Sequence, residues 1–534
     1  MNLKNRYFSN LKPFQRVELS LIILLAFVIP FSWKISLYIQ AALFVTTILK
    51  VVFEQKHIAN PIQKKHKWIY ITIISVWLIH LIGMIHTHEH AEGWKQLGQK
   101  MSFVLYPIIF FISDMSYITR RHLHTICYGL VCGVLLFFVI NVTDALYDVL
   151  ANNVASYRLY DKYLMEIIYQ HHSYIAMYAN LAIAFCFIEC VTNKQRKIQI
   201  LNTILLVLLS VFVILLSSRA GLICMILLFF FLWLWLFVLL KQHKKGMIMG
   251  ITAILFITIS FFIFPNTTAR FENIPSSIST KTYQDQRIVQ YRAINKIVPQ
   301  CWLFGFGTGD YRLHIAQAYQ QRQTTIINRI EPLNGIYDND FFIQRQLFIN
   351  SIVNYRLSSK SNYKVSPKMI EFIKTNAASY NCDFYSVRDN IQELLYIHYA
   401  IDNNTNAHNQ YLETLLAVGI IGVALLLACG IVPLVVLYKN KCFNTLFAAL
   451  LFIVGFNNIF ESMLEKQSGI IFMLLFYLLL FNFSINVGSK TTLEPQPSTT
   501  FRLLYVDMIV NFGRRPKNTK HTKAQNHKYS SLQP

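Results

Sequence analysis

Apolar runs of near-spanning length recur almost from end to end of the chain, divided by short polar segments. A helix that crosses a bilayer needs roughly 20 consecutive apolar residues, so the pattern predicts a string of transmembrane helices. About twelve are expected. The first five cover about 18–33, 35–53, 68–85, 101–116 and 125–143. The sixth runs from near His171 to Lys194, and three more cover about 198–216, 221–240 and 246–264. The tenth runs from the polar stretch around His408 to near Lys439, with the last two at about 444–460 and 470–486.

One polar segment, 265–409, is too long to be a connector, and such a segment is expected to be functional or folded in itself. Helical periodicity appears in Gln284 to Val298, where Ile288, Tyr291, Ile294 or Ile297, and Val298 recur at turn spacing. Phe341 to Tyr355 and Val387 to Tyr399 are further helix-like stretches. Between the first two lies Phe304-Gly305-Phe306-Gly307-Thr308-Gly309-Asp310-Tyr311. Its alternate glycines permit a tight turn and a close approach of backbone N–H groups to a ligand, although a bare glycine turn is the default reading. The organisation expected is helices one to nine over 1–264, a loop domain over 265–409, helices ten to twelve over 410–486, and a basic tail over 487–534. That tail carries Arg502, Arg514, Arg515, Lys517, Lys520, Lys523 and Lys528, and is expected to be disordered.

Composition agrees with a membrane protein. The chain is 54% hydrophobic and 14% charged over 534 residues, against about 25% charged in a soluble domain. No removable signal peptide is expected, since Leu19 to Trp33 lacks a small-residue cleavage site and leads straight into the next run. The net charge of +23 raises the question of nucleic acid. Its placement answers against it, because the excess lies in short segments between apolar runs and in the tail. Lys4, Arg6, Lys12 and Arg16, the 54–67 loop, Arg120 with Arg121, Lys194 to Lys197, and Lys241 to Lys245 alternate onto one side. By the positive-inside rule both termini are cytoplasmic and the long segment is outside. Most of the nine cysteines lie in apolar runs; Cys301 and Cys382 fall in the long segment and could pair.

The chemistry-bearing residues collect on the predicted outer face. His408-Asn409 stands where a polar stretch turns into an apolar helix, and a helix N-terminus attracts an anionic group. Gly419 and Gly422 clear one face of that helix for a neighbour. Arg219 sits in the four-residue break Ser217-Ser218-Arg219-Ala220 between two spans, which places it near the headgroups. A snorkelling structural arginine is the competing reading. Arg287 and Arg292 lie on the periodic stretch of the long segment, five residues apart and so on different helix faces. His171 and His172 open the sixth span, where ordinary interfacial histidines also occur. His86, His88 and His90 would need an extended segment to face one metal, so no metal site is expected.

Three pieces together resemble the O-antigen ligase and O-antigen polymerase superfamily. They are Ser218-Arg219-Ala220-Gly221; Arg287-Ile288-Val289-Gln290-Tyr291-Arg292 leading to Trp302-Leu303-Phe304-Gly305-Phe306-Gly307; and His408-Asn409 followed by Gly419-Ile420-Ile421-Gly422. The resemblance covers roughly 170–480. A proline commonly precedes the first glycine of the second piece, near the place of Trp302, and which of Arg287 and Arg292 fills the family's role stays open. The resemblance implies an all-α, GT-C-like membrane enzyme of the bacterial inner membrane with its site facing the periplasm. It implies a donor glycan on a polyprenyl (undecaprenyl) diphosphate and an acceptor hydroxyl on lipid A-core or on another lipid-linked glycan. It implies metal-independent, inverting transfer with no cofactor.

In that chemistry guanidinium groups suit the departing diphosphate and a neutral histidine suits the acceptor proton. His408 is expected as base, with Arg219 and Arg287 as catalytic cations. Arg292, Asn409, Gly305, Gly307, His171 and His172 are expected to touch substrate. Ligase, polymerase and protein O-oligosaccharyltransferase remain open. A lipid-linked glycan flippase is the reading from another class, disfavoured because few charges lie within spans and no internal repeat is seen.

Overall fold

The computed structural model describes residues 11–54, 61–244, 246, 247, 250, 286–330, 393, 397, 400 and 406–491. Among them the secondary structure is helical throughout, with no strand. The helices in chain order are α1 Pro13–Val28, α2 Trp33–Glu54, α3 Pro61–Lys65, α4 Lys67–Ile82, α5 His90–Gln99 and α6 Ser102–Ile112. Next come α7 Arg120–Ala151, α8 His172–Thr192, α9 Arg196–Leu215, α10 Arg219–Leu234, α11 Gln286–Ile294 and α12 Val298–Cys301. The set closes with α13 Tyr311–Ile330, α14 Gln410–Lys439, α15 Thr445–Phe460 and α16 Gln467–Thr491.

Eight helical stretches among the described residues are long and apolar enough to cross a membrane. They are Trp33–Glu54, Lys67–His86, Arg120–Ala151, His172–Thr192, Arg196–Leu215, Arg219–Val238, Gln410–Lys439 and Gln467–Val487. The chain is a polytopic membrane protein. Three expected spans are shorter helices. α1 and α15 have 16 residues each, and at 1.5 Å per residue each reaches about 24 Å, less than a hydrocarbon core of about 30 Å. α1 begins with Pro13 at its first turn, five residues before the expected start, and is over at Val28, just ahead of Pro30. α6 has 11 residues with Pro107 inside it. Of the expected span at 246–264, residues 246, 247 and 250 are described and helical; the helix-like stretch 341–355 lies outside the described residues, as do Cys382 and the tail from 492. Of the stretch 387–399, residues 393 and 397 are described and helical.

α8 and α16 form the centre of the bundle, where Tyr178, Phe472 and Phe476 are fully buried. The Tyr178 and Phe472 rings pack 4.7 Å apart. At one end of the bundle, called the site end below, α8 and α10 start together, with the Ser173 and Ser218 hydroxyls 3.5 Å apart. The turn after α15 meets the same end, since the Tyr174 hydroxyl donates to the Ser462 carbonyl at 3.4 Å.

α14 is not one straight helix. Gly419 has φ +72° and ψ −169°, and the backbone of 302–307 is wedged into the break. Phe306 N–H donates to Leu416 O at 2.7 Å, Gly307 N–H to Ala417 O at 3.0 Å, and Ile420 N–H to Trp302 O at 2.8 Å. Carbonyls and an amide freed by the kink are thereby paired, as buried backbone polar groups must be. A Cβ on Gly419 would overlap the Leu303 carbonyl, and one on Gly305 (φ +76°) would overlap the Ala417 carbonyl. Glycine is needed at both because two backbones touch. The loop is pinned on its other side to the end of α4, by Thr308 Oγ1 donating to His80 O at 2.5 Å. The Asp310 carboxylate accepts the N–H groups of His88 (2.8 Å) and Glu89 (2.7 Å).

Candidate functional site

His408 stands in the turn that leads into α14. Asn409 is the cap of that helix, its side-chain oxygen accepting Leu412 N–H at 2.9 Å. One residue earlier His408 has φ +48°, a left-handed conformation uncommon outside glycine. Two hydrogen bonds hold it there. Its N–H donates to Asn406 Oδ1 at 3.2 Å, and its carbonyl accepts the Tyr291 hydroxyl at 3.2 Å. Tyr291 belongs to α11, one turn beyond Arg287 and therefore on the same face.

Both meet a third group, Glu461, the residue just past α15. His408 Nδ1 lies 3.1 Å from Glu461 Oε2, and the Arg287 guanidinium is paired with Glu461 Oε1. His171 stands within electrostatic reach of Glu461, His408 and Arg287. Its Nδ1 is buried with no hydrogen-bond partner among the described residues. Burial pushes the Glu461 carboxyl up, yet the His408 hydrogen bond and the charges of Arg287, His408 and His171 outweigh it and hold it down to about 2. Burial pushes His171 down, Glu461 opposing and His408 and Arg287 adding to the effect, which favours its neutral ring.

Beneath this cluster a buried polar network ties its supports together. Glu413, on the first turn of α14, accepts Ser462 Oγ at 2.6 Å and Ala407 N–H at 3.2 Å. Glu465 accepts Lys100 Nζ at 2.6 Å and Gln410 Nε2 at 3.0 Å. Gln410 Oε1 in turn accepts Leu464 N–H at 2.7 Å. The Tyr311 hydroxyl, at the start of α13, lies 3.3 Å from one oxygen of each carboxylate. Burial opposes ionisation of Glu465, but Lys100 leads the groups that hold its carboxyl below the usual range. The turn that carries Glu461 and the turn that carries His408 are therefore locked to one another through side chains of α14, the 462–465 turn, Lys100 and Tyr311.

The expected site residues fall into three groups. His408, Arg287 and His171 converge on one carboxylate. Arg219 and His172 sit at the same end. Arg219 opens α10 with its side chain exposed, capped by Ser218, whose hydroxyl accepts Gly221 N–H at 3.3 Å. His172 Nδ1 is 3.6 Å from Asp161 Oδ1, and its ring stacks on that of His171 at 4.4 Å. Arg292 is exposed on α11, and Arg287 is the arginine of that helix that reaches Glu461.

Gly305, Gly307 and Asn409, also expected to touch substrate, each make hydrogen bonds within the protein. The N–H groups of the two glycines go to the carbonyls of Cys301 and Ala417. The close backbone approach seen here is to the protein's own chain. The Asn409 side-chain oxygen is committed to its helix cap. Among the described residues no three His, Cys, Asp or Glu side chains are grouped so as to hold a metal ion. Glu461 was absent from the expected site. Its only signal in the sequence is an acidic residue in a short polar turn between two apolar runs, next to Asn457-Asn458.

The fold is a bundle of apolar helices with a cationic and imidazole cluster at one end, which defines a polytopic membrane protein. Residues 204–341 match the O-antigen ligase family. That match supports the O-antigen ligase and polymerase superfamily, a glycosyltransferase-like family. It takes in Arg219, Arg287, Arg292, Gly305 and Gly307, and ends before His408. No curated protein matches the chain.

Proposed function

We propose that the protein is an O-antigen ligase-like glycosyltransferase of the bacterial inner membrane. It moves a glycan from polyprenyl diphosphate to a hydroxyl of lipid A-core at the periplasmic face. The observation that supports this reading is the convergence of Arg287, His408 and His171 at the site end, with Arg219 opening a helix there. The His408 imidazole takes the acceptor proton as the hydroxyl oxygen attacks C1 of the sugar. The bond from C1 to the phosphate oxygen breaks, and polyprenyl diphosphate leaves with its electron pair. One displacement at C1 inverts the anomeric centre, and no metal is required.

Arg287, Arg219 and Arg292 offer guanidinium forks to the departing phosphates, and His171 and His172 line the approach. Preorganised charge of this kind contributes on the order of several kcal/mol to a barrier. This reading keeps the expected twelve spans in a GT-C-like arrangement, both termini cytoplasmic, and 265–409 as a periplasmic domain. The basic short loops favour that orientation.

The test is a lipopolysaccharide gel from a deletion strain carrying wild-type protein or His408→Ala. Core without any attached chains, restored by wild type and not by the variant, is the expected result. Core with one repeat would reassign the protein as a polymerase. An unchanged ladder would overturn both and turn attention to a protein hydroxyl as acceptor or to lipid-linked glycan transport.

A further inference from the structure

The stretch Trp302-Leu303-Phe304 belongs to a long polar segment, yet its side chains are turned outward. Trp302 is 55%, Leu303 39% and Phe304 66% exposed. Its backbone, by contrast, is held against α14. The Trp302 carbonyl accepts Ile420 N–H at 2.8 Å, and the N–H groups of Phe306 and Gly307 go to carbonyls just before the break. Three large apolar side chains in a row are costly in water, by about 25 cal/mol for each Å² of apolar surface. What covers them follows from the two spans on which the loop is pinned.

The first is α14 beyond its break. From Ile420 to Lys439 it rises about 30 Å, close to one hydrocarbon thickness. Ile420, Leu427, Ile431, Val435 and Tyr438 are exposed along it at helical spacing, so one face is open and apolar throughout. In a membrane protein such a face meets lipid. The second is Lys67–His86, 20 residues long and also about 30 Å. On its last turns Thr308 bonds to the carbonyls of His80 and Gly83, and just beyond them Gly309 N–H bonds to Thr87 Oγ1. Val418 packs on Gly83 and the Cys429 thiol donates to the Thr72 carbonyl, so the two stretches run antiparallel. At the far end they finish on exposed lysines, Lys67 and Lys439. Lysine and tryptophan are the usual anchors of a span at its two boundaries. Both rulers put 302–304 at the hydrocarbon boundary of the site end. Irregular backbone at that depth is tolerated only where its polar groups are paired inside the protein, which the bonds to α14 accomplish.

We propose that Trp302, Leu303 and Phe304 are inserted among the glycerol and upper acyl groups of the bilayer, beside Ile420 and Ile421, and that this anchor sets the level of the site against the headgroups. The partner is the phospholipid surface itself. The break at Gly419 serves the same end. Tyr411, in the first part of α14, donates its hydroxyl to the Gly455 carbonyl of α15 at 3.1 Å. The first part of α14 therefore leans over α15 instead of rising away from the lipid, and brings the His408 turn down to the headgroups. The inference concerns how the protein sits in its membrane and does not rest on the transfer reaction.

The test uses the full-length protein in phosphatidylethanolamine–phosphatidylglycerol vesicles, carrying the photoreactive substitution Phe304→benzoylphenylalanine. Irradiation is expected to give an adduct heavier than the protein by one phospholipid, read by mass spectrometry. A cross-link to a second copy or to another part of the same chain overturns the inference, because either would cover the loop in place of lipid. Protein recovered with no lipid adduct overturns it too. Trp302 gives an independent depth. Wild type and Trp302→Phe are compared in vesicles of phosphatidylcholine brominated near the top or near the end of the acyl chain. The emission lost on substitution should be quenched more strongly by the upper bromines. Equal quenching, none, or stronger quenching by the lower bromines overturns the inference. Where the variant at 304 does not reach the membrane, this second measurement decides alone, since phenylalanine keeps an aromatic ring at 302.

Discussion

The buried carboxylates of Glu18 and Glu461 both meet cations, and they are built differently. Glu18 of α1 is sealed: its side chain has no exposed surface, and its partner Lys50 of α2 is 10% exposed. Lys50 Nζ sits 2.9 Å from Glu18 Oε2 and 2.9 Å from Ser113 Oγ, while Ser113 donates to Glu18 at 2.6 Å. Glu461 is itself 11% exposed, but His408 is 28% and Arg287 34% exposed. The first cluster closes on itself and joins α1, α2 and the end of α6. The second buries its anion and leaves its imidazole and guanidinium open on one side. A buried pair whose cation is also buried serves packing. A buried anion with half-open partners is the arrangement that the proposed function uses.

The sharpest way to break this contrast is to remove the open partner. His408→Ala should reduce transfer by about 10³-fold or more, near the upper range for a lost general base, while membrane abundance stays at wild-type level. Near-normal transfer would put His408 out of the mechanism. The matching change at the sealed cluster is Lys50→Ala. Stranding a buried carboxylate costs about 3–5 kcal/mol, so this variant should accumulate poorly and melt early, with transfer per folded molecule unchanged. Equal losses of turnover in both variants would erase the distinction.

Arg287→Lys sharpens it further. A lysine keeps the charge but not the planar fork, so transfer at low donor concentration should fall by about tenfold with little change in melting. Gly419→Ala addresses the wedge behind the site. Its positive φ and the Leu303 carbonyl leave no space for a Cβ, so a loss of more than about 1 kcal/mol in thermal stability is expected.

The smallest effect is in acid. The Glu461 carboxyl lies at about 2 when folded, below its ordinary 4.5. Its contribution is whole above the unfolded value and is lost as pH falls through the folded one. Wild type should therefore lose stability relative to Glu461→Gln as pH drops from 4.5 towards 2, read as converging melting temperatures.

Much of the fold was legible because a bilayer permits few solutions. Spans such as 125–143 and 198–216 fall on α7 and α9 because lipid demands a long apolar run closed on its own hydrogen bonds. The helix around Arg287 was visible in its turn spacing. The remainder depends on distant segments. Gly305, Gly307 and Gly419 announce close approach, but glycine does not say what approaches, and in this structure backbone of 302–307 meets backbone of 416–420. α7 runs past its apolar run to Ala151 because Asp144 and Asp148 pair with Arg158, at 2.5 and 2.8 Å, in the loop that follows. No local pattern carries that.

By itself the sequence determined the class of solvent, the helices and the residue types able to grip a phosphate, because hydrophobic runs and motif spacing act within one segment. Tertiary structure alone decided that Arg287 and not Arg292 faces Glu461, and that an unremarked acid after α15 stands at the centre. Those choices depend on which way α11 turns against the His408 loop and on the locking of two turns through Glu413, Gln410 and Glu465. They are distances between segments 49 to 174 residues apart, which only the packed bundle sets.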